Sequence, residues 1–356
     1  MRAEVSLEKS RVQKRLSVSK PAFSIVLPTY NRAHIIDGAI RSIQAQTLPD
    51  WELIIIDDGS TDATRAVVED FIRKDGRIKL VSNSGRAGPG GARNTGIMAA
   101  QGELVAFIDS DDSWQPRKLE AFLINSQRDP GAVLIGSNYR IADEANAPAV
   151  TMKSFLFDAM LPWWKEHLPA AAAIPVDLIR EDIQLITEPT ILLSMTIAGF
   201  LWVQTSSTVV RRNAALAAGL FNDKLARTED IDLWLKLSRL GRIVYLDEVL
   251  ATYDIKGRKD GTGLRYDSYR RSRKHTAYSE AVYHLHSLER IAKTYNLNAD
   301  QWRLLKDRRI AHRHRCAVLG LRERRLSAIV HLFAWLIRNG KPRQLLTQPQ
   351  AFFRLR

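Results

Sequence analysis

The amino-acid sequence predicts an α/β fold: a mostly parallel sheet flanked by helices, with a helical extension at its C-terminal end. Three observations point there. Between Phe23 and Ser137, short apolar runs alternate with amphipathic stretches. The polar clusters fall just after those runs, which places them together on one edge of a parallel sheet. From Tyr266 onward the pattern turns helical and basic.

The elements follow in order. Met1–Lys20 reads as a basic leader without the apolar core of a secretion signal. Phe23–Leu27 is a strand stopped by Pro28, and a helix from about Ala33 to Gln46 carries Ile36, Ala39, Ile40 and Ile43 at helical spacing. Trp51–Ile56 is a second strand, and Ser60, Thr61 and Asp62 are good starters for a helix reaching Lys74. Arg77–Val81 is a third strand. A glycine-rich loop, Asn83–Gly91, leads to a helix over Ala92–Ala100, and Gly102 separates it from a strand over Glu103–Ile108. Ser113–Pro116 reads as a helix start, with the helix running to Arg128 and a strand over Ala132–Ser137. Segment 139–200 is expected to form a variable flap of short helices containing the Trp163–Trp164 pair. Beyond it come a strand over Thr205–Arg211, a helix over Asn213–Ala218, an amphipathic helix over Ile231–Leu240 and extended chain over Ile243–Tyr253. Helices over Tyr269–Tyr295, Ala299–Leu319 and Leu326–Arg338 complete the chain. The implied division is a leader (1–20), a sheet domain (21–255) and a basic helical region (256–356).

Composition excludes several classes. One cysteine, Cys316, permits no internal disulfide, and nothing near it marks a nucleophile. No apolar stretch reaches the roughly 18 residues of a membrane-spanning helix. The net charge of +14 is concentrated: residues 255–356 hold 24 Lys and Arg against 7 Asp and Glu, and the remainder is close to neutral. Such a region suits an anionic membrane surface, nucleic acid, or a solvated face on a helical bundle.

Asp109-Ser110-Asp111-Asp112 follows a buried strand, at the mouth where open sheets bind ligands. Carboxylates this crowded repel one another, and an oxygen-rich set suits Mn²⁺ or Mg²⁺. Equally, Asp112 or Ser113 could simply cap the next helix. Asp57 and Asp58 could bind a base or ribose, or serve the following turn. Gly88-Pro89-Gly90-Gly91 fits no standard phosphate-loop spacing, and Pro89 removes a donor; Arg86 and Arg93 beside it could meet phosphate. Glu229 and Asp230 suit a helix N-terminus on dipole grounds alone.

Their order is more informative than any one of them. The chain presents Pro28-Thr29-Tyr30-Asn31, then Asp57-Asp58-Gly59-Ser60-Thr61-Asp62, then Gly91-Ala92-Arg93-Asn94-Thr95-Gly96. Asp109-Ser110-Asp111-Asp112 and Thr228-Glu229-Asp230-Ile231-Asp232-Leu233-Trp234 follow. From about Phe23 to Tyr253 this resembles the family 2 glycosyltransferases, whose GT-A fold has a Rossmann-like sheet. The resemblance implies an inverting, metal-dependent hexosyl- or N-acetylhexosaminyl-type transferase that uses a nucleotide-sugar donor, with a UDP-sugar favoured. By position, Pro28, Thr29 and Tyr30 would line the nucleobase pocket, with Asp58 binding the base and Asp57 beside it. Arg93 would support the nucleotide pocket and Asp109 the ribose. Asp111 would hold Mn²⁺ or Mg²⁺, Asp112 would cap the next helix, Asp230 would be the general base, and Glu229 its neighbour.

The chain also departs from the family pattern. Where a His often follows the last strand, it has Tyr253–Lys259, in which Lys256 or Arg258 could clamp the diphosphate. It lacks the Gln-x-x-Arg-Trp motif of processive synthases. A single-addition enzyme acting on a lipid-linked or surface-polysaccharide acceptor fits better, cytoplasmic or peripheral at the inner membrane face through 256–356. The readings from other classes are a basic nucleic-acid-binding protein, for which no nucleic-acid motif is present, and a non-catalytic nucleotide-sugar-binding relative.

Overall fold

The structure, a computed structural model, describes residues 20–141, 183–186, 193, 203–225, 228–253 and 277–322. The expected leader, most of the flap, Lys256, Arg258 and the Leu326–Arg338 helix lie outside the described residues. The chain divides into two compact units: 1–139 with 205–244 and 248–253, and 140–204 with 245–247 and 254–356.

The first unit contains β1 (Phe23–Thr29), α1 (Ile36–Gln44), β2 (Trp51–Asp57), α2 (Thr64–Lys74), β3 (Ile78–Ser82), α3 (Pro89–Ala99), β4 (Leu104–Phe107), β5 (Ser113–Trp114), α4 (Lys118–Arg128) and β6 (Ala132–Ile141). A four-residue strand, β7 (Ile183–Ile186), belongs to the second unit. The first unit resumes with a 3-10 turn at Thr205–Ser207, β8 (Thr208–Arg211), α5 (Arg212–Ala217), α6 (Glu229–Leu237) and β9 (Arg242–Tyr253). The main path of the sheet runs β3-β2-β1-β4-β8-β6-β9-β5.

Strands β3, β2, β1 and β4 are parallel; β1 and β2 are buried on both faces, as adjacent Ile25 and Val26 and adjacent Leu53 and Ile54 show, while β3 at the edge buries only Ile78. The parallel order stops at β8, which runs antiparallel to both β4 and β6, so the sheet is mixed beyond β4. The connection through α3 carries the chain back past β1 to β4. β1 and β4 are therefore neighbours whose crossovers diverge, the switch point at which open sheets form a crevice.

Two packing features aim residues at that crevice. Helix α3 lies tight on β1, because a Cβ at Gly96 would overlap the Val26 side chain. Phe107 at the end of β4 packs edge-on against Phe221 at 5.3 Å and against Trp234 of α6 at 6.1 Å, with Phe221 and Trp234 themselves 5.8 Å apart. This aromatic trio fixes the N-terminus of α6 relative to the end of β4.

One local expectation is overturned. Ser113 and Trp114 form a short strand paired with Ala251 and Thr252 of β9, and α4 begins only at Lys118. Asp112 is too far ahead to cap that helix. Its carboxylate takes the Ser206 hydroxyl instead.

In the second unit, α7 (Ala277–Thr294) and α8 (Ala299–Arg322) pack on each other through buried Leu285 and Cys316, with Val282 and Leu319 against them. Glu289 of α7 pairs with Arg313 at 3.2 Å and Arg309 at 3.6 Å on α8.

Candidate active site

The site is built at the carboxyl ends of β1, β2 and β4. The loop after β1 is clipped to the loop after β2. Asn31 takes a left-handed backbone at φ 53°, and its side-chain oxygen accepts the Thr61 N–H at 2.8 Å. In return, the N–H of Asn31 donates to Ser60 Oγ at 3.0 Å and that of Arg32 to Thr64 Oγ1 at 2.7 Å. An Asn tolerates that backbone better than most residues, which gives the last position of Pro-Thr-Tyr-Asn a structural reason.

Asp57 and Asp58 part company. Asp57 is buried, accepts the Ser60 N–H at 3.0 Å and pairs with Arg65 at 2.8 Å. Asp58 faces the glycine-rich loop: it accepts Asn83 Nδ2 at 2.7 Å and the Gly88 N–H at 2.9 Å. Its own N–H donates to the Thr29 carbonyl at 2.9 Å. Asp58 thus joins the ends of β1 and β2 to the turn that opens α3. Gly88 there has φ 126°, a conformation open to glycine. Thr29 is buried, while Pro28 and Tyr30 are half-buried beside it.

Arg93 is the hub. It is 4% exposed and lies on α3 between two acidic groups, donating from Nη2 to Asp109 at 2.7 Å and from Nη1 to Glu229 at 2.7 Å. Its guanidinium also stands 5.5 Å from the Phe221 ring centre. Burial works against its charge, but Asp109 and Glu229 outweigh burial and hold its pKa above the ordinary value. Glu229 moves the other way for a carboxylate: burial and then Asp230 push it up to about 7, against the pull of Arg93.

The acidic loop closes on a second hub. The Asp109 N–H donates to Ser206 Oγ at 3.0 Å, and the Ser206 hydroxyl donates to Asp112. Next to it, Thr205 Oγ1 donates to Asp230 Oδ2 at 2.9 Å, while Asp230 Oδ1 accepts the Ile231 N–H at 2.8 Å. Asp109, Asp111 and Asp112 can each offer an oxygen, all within 4.8 Å of one another. This all-oxygen donor set fits a hard divalent cation such as Mn²⁺ or Mg²⁺.

The structure therefore brings together Arg93, Asp109, Asp111, Glu229 and Asp230, with Asp58 and Thr29 on the adjoining strand ends. Asp57 is turned toward Arg65. Asn83, Thr205 and Ser206 were not singled out by the sequence reading. Nothing in a Thr-Ser-Ser run announces it, because the partners lie 25 to 97 positions away.

This constellation sits at the switch point of a mixed α/β sheet, where such folds form a ligand-binding crevice, and comparison with known proteins adds to it. Residues 24–171 match the model of glycosyl transferase family 2. Through this segment, under half of its length, the chain is similar to that family. Over 97 residues, 27% of its length, it is 47% identical to the Escherichia coli UDP-Glc:alpha-D-GlcNAc-diphosphoundecaprenol beta-1,3-glucosyltransferase, of which the match covers 38%. The chain spans 30–40% of the length of three curated relatives it matches. Its fold is GT-A. It aligns over 97% of its length with 91% of the mannosyltransferase PcManGT from Pyrobaculum calidifontis in complex with GDP-Man and Mn²⁺, at 17% identity and a TM-score of 0.54. For S. aureus TarS 1-349 in complex with UDP-GlcNAc, the figures are 92%, 78%, 19% and 0.53.

Proposed function

We propose that the protein is an inverting glycosyltransferase that moves a sugar from a nucleoside-diphosphate donor, UDP-linked by preference, to a hydroxyl of a lipid-linked or polysaccharide acceptor. The observation that carries this reading is the joining of two acidic groups. Asp109–Asp112 after β4 and Glu229–Asp230 opening α6 are tied through Arg93 on one side and Thr205–Ser206 on the other. The donor class and the lipid-linked acceptor are supported by the names of the relatives, two of which act on diphosphoundecaprenol or PP-undecaprenol substrates.

The chemistry assigns the roles. The acceptor hydroxyl loses a proton as it attacks, and Asp230, whose carboxylate accepts the Thr205 hydroxyl, takes it as general base. A single in-line displacement inverts the anomeric carbon and needs no protein nucleophile. Pro28, Thr29 and Tyr30 line the base pocket, Asp58 holds its floor with Asp57 buttressing the turn, and Asp109 faces the ribose. Arg93 acts by holding Asp109 and Glu229 in place. Asp111, with Asp109 and Asp112 at hand, would hold Mn²⁺ or Mg²⁺. That ion would offset the negative charge gathering on the departing diphosphate. The acceptor reaches the site at a membrane surface: the basic segment 256–356 docks on anionic lipid, and α8 exposes Trp302, Arg303 and Lys306. Among the described residues, no helix is long and apolar enough to cross the bilayer.

The test is nucleoside-diphosphate release from a panel of nucleotide sugars with Mn²⁺ or Mg²⁺. Asp111→Ala and Asp230→Asn should each cut release by roughly 10²–10⁴-fold, the usual worth of such groups. Asp230→Asn should still bind donor in a thermal-shift assay. Undiminished turnover in Asp230→Asn would remove the base assignment. Co-sedimentation with phosphatidylglycerol vesicles, lost in favour of tight binding to duplex DNA, would replace the membrane reading with nucleic-acid binding.

A further inference from the structure

We infer that the turn Thr205-Ser206 is a positioning brace that sets the acidic loop after β4 and the base on α6 in one register; the inference rests on the functional reading above. Two adjacent hydroxyls reach the two halves of the site. Ser206 Oγ receives the Asp109 N–H at 3.0 Å and donates to Asp112, and Thr205 Oγ1 bonds Asp230 Oδ2 at 2.9 Å.

Chemistry fixes the direction of each bond. A backbone N–H can only donate, so Ser206 Oγ is the acceptor from Asp109 and its one proton goes to the Asp112 carboxylate. An ionised Asp230 can only accept, so Thr205 must donate. Each hydroxyl has one proton and one use for it. The turn itself cannot drift. Both residues are buried, at 3% and 1% exposure. The Thr205 carbonyl accepts Thr208 Oγ1 at 2.7 Å, and the Ser206 carbonyl accepts the buried Trp114 indole N–H at 2.8 Å. The segment then enters β8, which pairs with β4 itself at Leu104–Arg211 and Ala106–Val209. A shift in the turn would therefore move the acidic loop and the base together, and loss of one hydroxyl would release one half alone.

That separation gives the test. Thr205→Val keeps the shape of the side chain and removes its donor; Thr205→Ser keeps the donor. Thr205→Val should lower kcat roughly 10- to 100-fold, the range for losing a hydrogen bond to a charged group, with the donor KM nearly unchanged. Thr205→Ser should restore most of kcat. Ser206→Ala should act on the other half, weakening UDP binding in the presence of Mn²⁺ as read by calorimetry. Amide hydrogen exchange is followed in the same variants. It should quicken at 109–112 in Ser206→Ala and at 229–231 in Thr205→Val, each without the other. Equal losses in Thr205→Val and Thr205→Ser, or a Thr205→Val loss confined to KM, would overturn the brace. So would unchanged exchange in both variants, whatever the transfer assay gives. Wild-type protein that releases no nucleoside diphosphate while the exchange pattern holds would instead remove the functional reading and leave the brace.

Discussion

Arg93 Nη1 donates to Glu229 Oε1 at 2.7 Å, joining the third helix of the sheet domain to a helix 136 positions later. Both side chains are buried, and the other arm of Arg93 holds Asp109. Removing one member of a buried ion network strands the others without counter-charge, which costs about 3–5 kcal/mol. Arg93→Met should therefore lower urea-unfolding stability by about that amount. Arg93→Lys keeps the charge but cannot fork to two carboxylates, so it should fall between. Equal stabilities for wild type and Arg93→Met would mean that the pairing contributes nothing net.

Glu229 makes stability depend on pH in a definite direction. Its carboxyl titrates near 4.5 when unperturbed and is pushed up to about 7 in the fold, by burial first and Asp230 second. Between those values the folded state binds more protons than the unfolded chain, so this contribution is complete below about 4.5 and fades as pH rises through about 7. Glu229→Gln cannot titrate. The stability of wild type relative to Glu229→Gln should fall between pH 5 and pH 8, measured as the difference in urea midpoints. Parallel profiles across that range would sink the assignment.

The parallel half of the fold was legible because its signal is local. Ile25–Leu27 and Leu53–Ile56 are buried on both faces, and a two-faced strand must be apolar throughout. The acidic groups were legible because each lies at the boundary of an element, Asp109–Asp112 after β4 and Glu229–Asp230 at the start of α6. The mixed half was not, since nothing in Thr208–Arg211 states that it pairs antiparallel to β4. Ser113–Trp114 misled for a related reason: a polar residue before a proline looks like a helix start, but pairing with Ala251 and Thr252 draws the segment into the sheet. Asp112 then lost its helix and found Ser206, a partner 94 positions away that no spacing rule anticipates. The separate duties of Asp57 and Asp58 were equally hidden, because Asp57 ends β2 and Asp58 lies just past it in the loop, where each meets different neighbours.

Cys316 should be inert. It is fully buried between α7 and α8, and burial pushes its thiol up to about 11, so little thiolate exists at neutral pH. Iodoacetamide at pH 8 should leave native protein unlabelled, with labelling appearing in step with urea unfolding. Prompt labelling of the native protein would show that the α7–α8 pair opens readily.

Lys118, in the first turn of α4, is fully buried, and among the described residues no acceptor meets its Nζ. The rings of Phe122 and Trp114 stand 4.3 and 5.1 Å from the amine. Cation–π attraction is worth about 0.5–2 kcal/mol and does not replace the lost hydration of an ammonium group. Burial accordingly drives the amine well below its usual value of 10.5. The sign follows directly. The folded chain sheds this proton at a lower pH than the unfolded chain, so stability is withheld at low pH and recovered as pH rises toward 10.5. Methionine has similar length and flexibility and no charge to desolvate. Lys118→Met should therefore be more stable than wild type at pH 7, by on the order of 1–4 kcal/mol. The gap should narrow steadily as the pH is raised toward 10. Thermal denaturation at pH 6, 7, 8 and 9.5 reads both features, and a destabilised variant at every pH would show that the ammonium form is held by the fold.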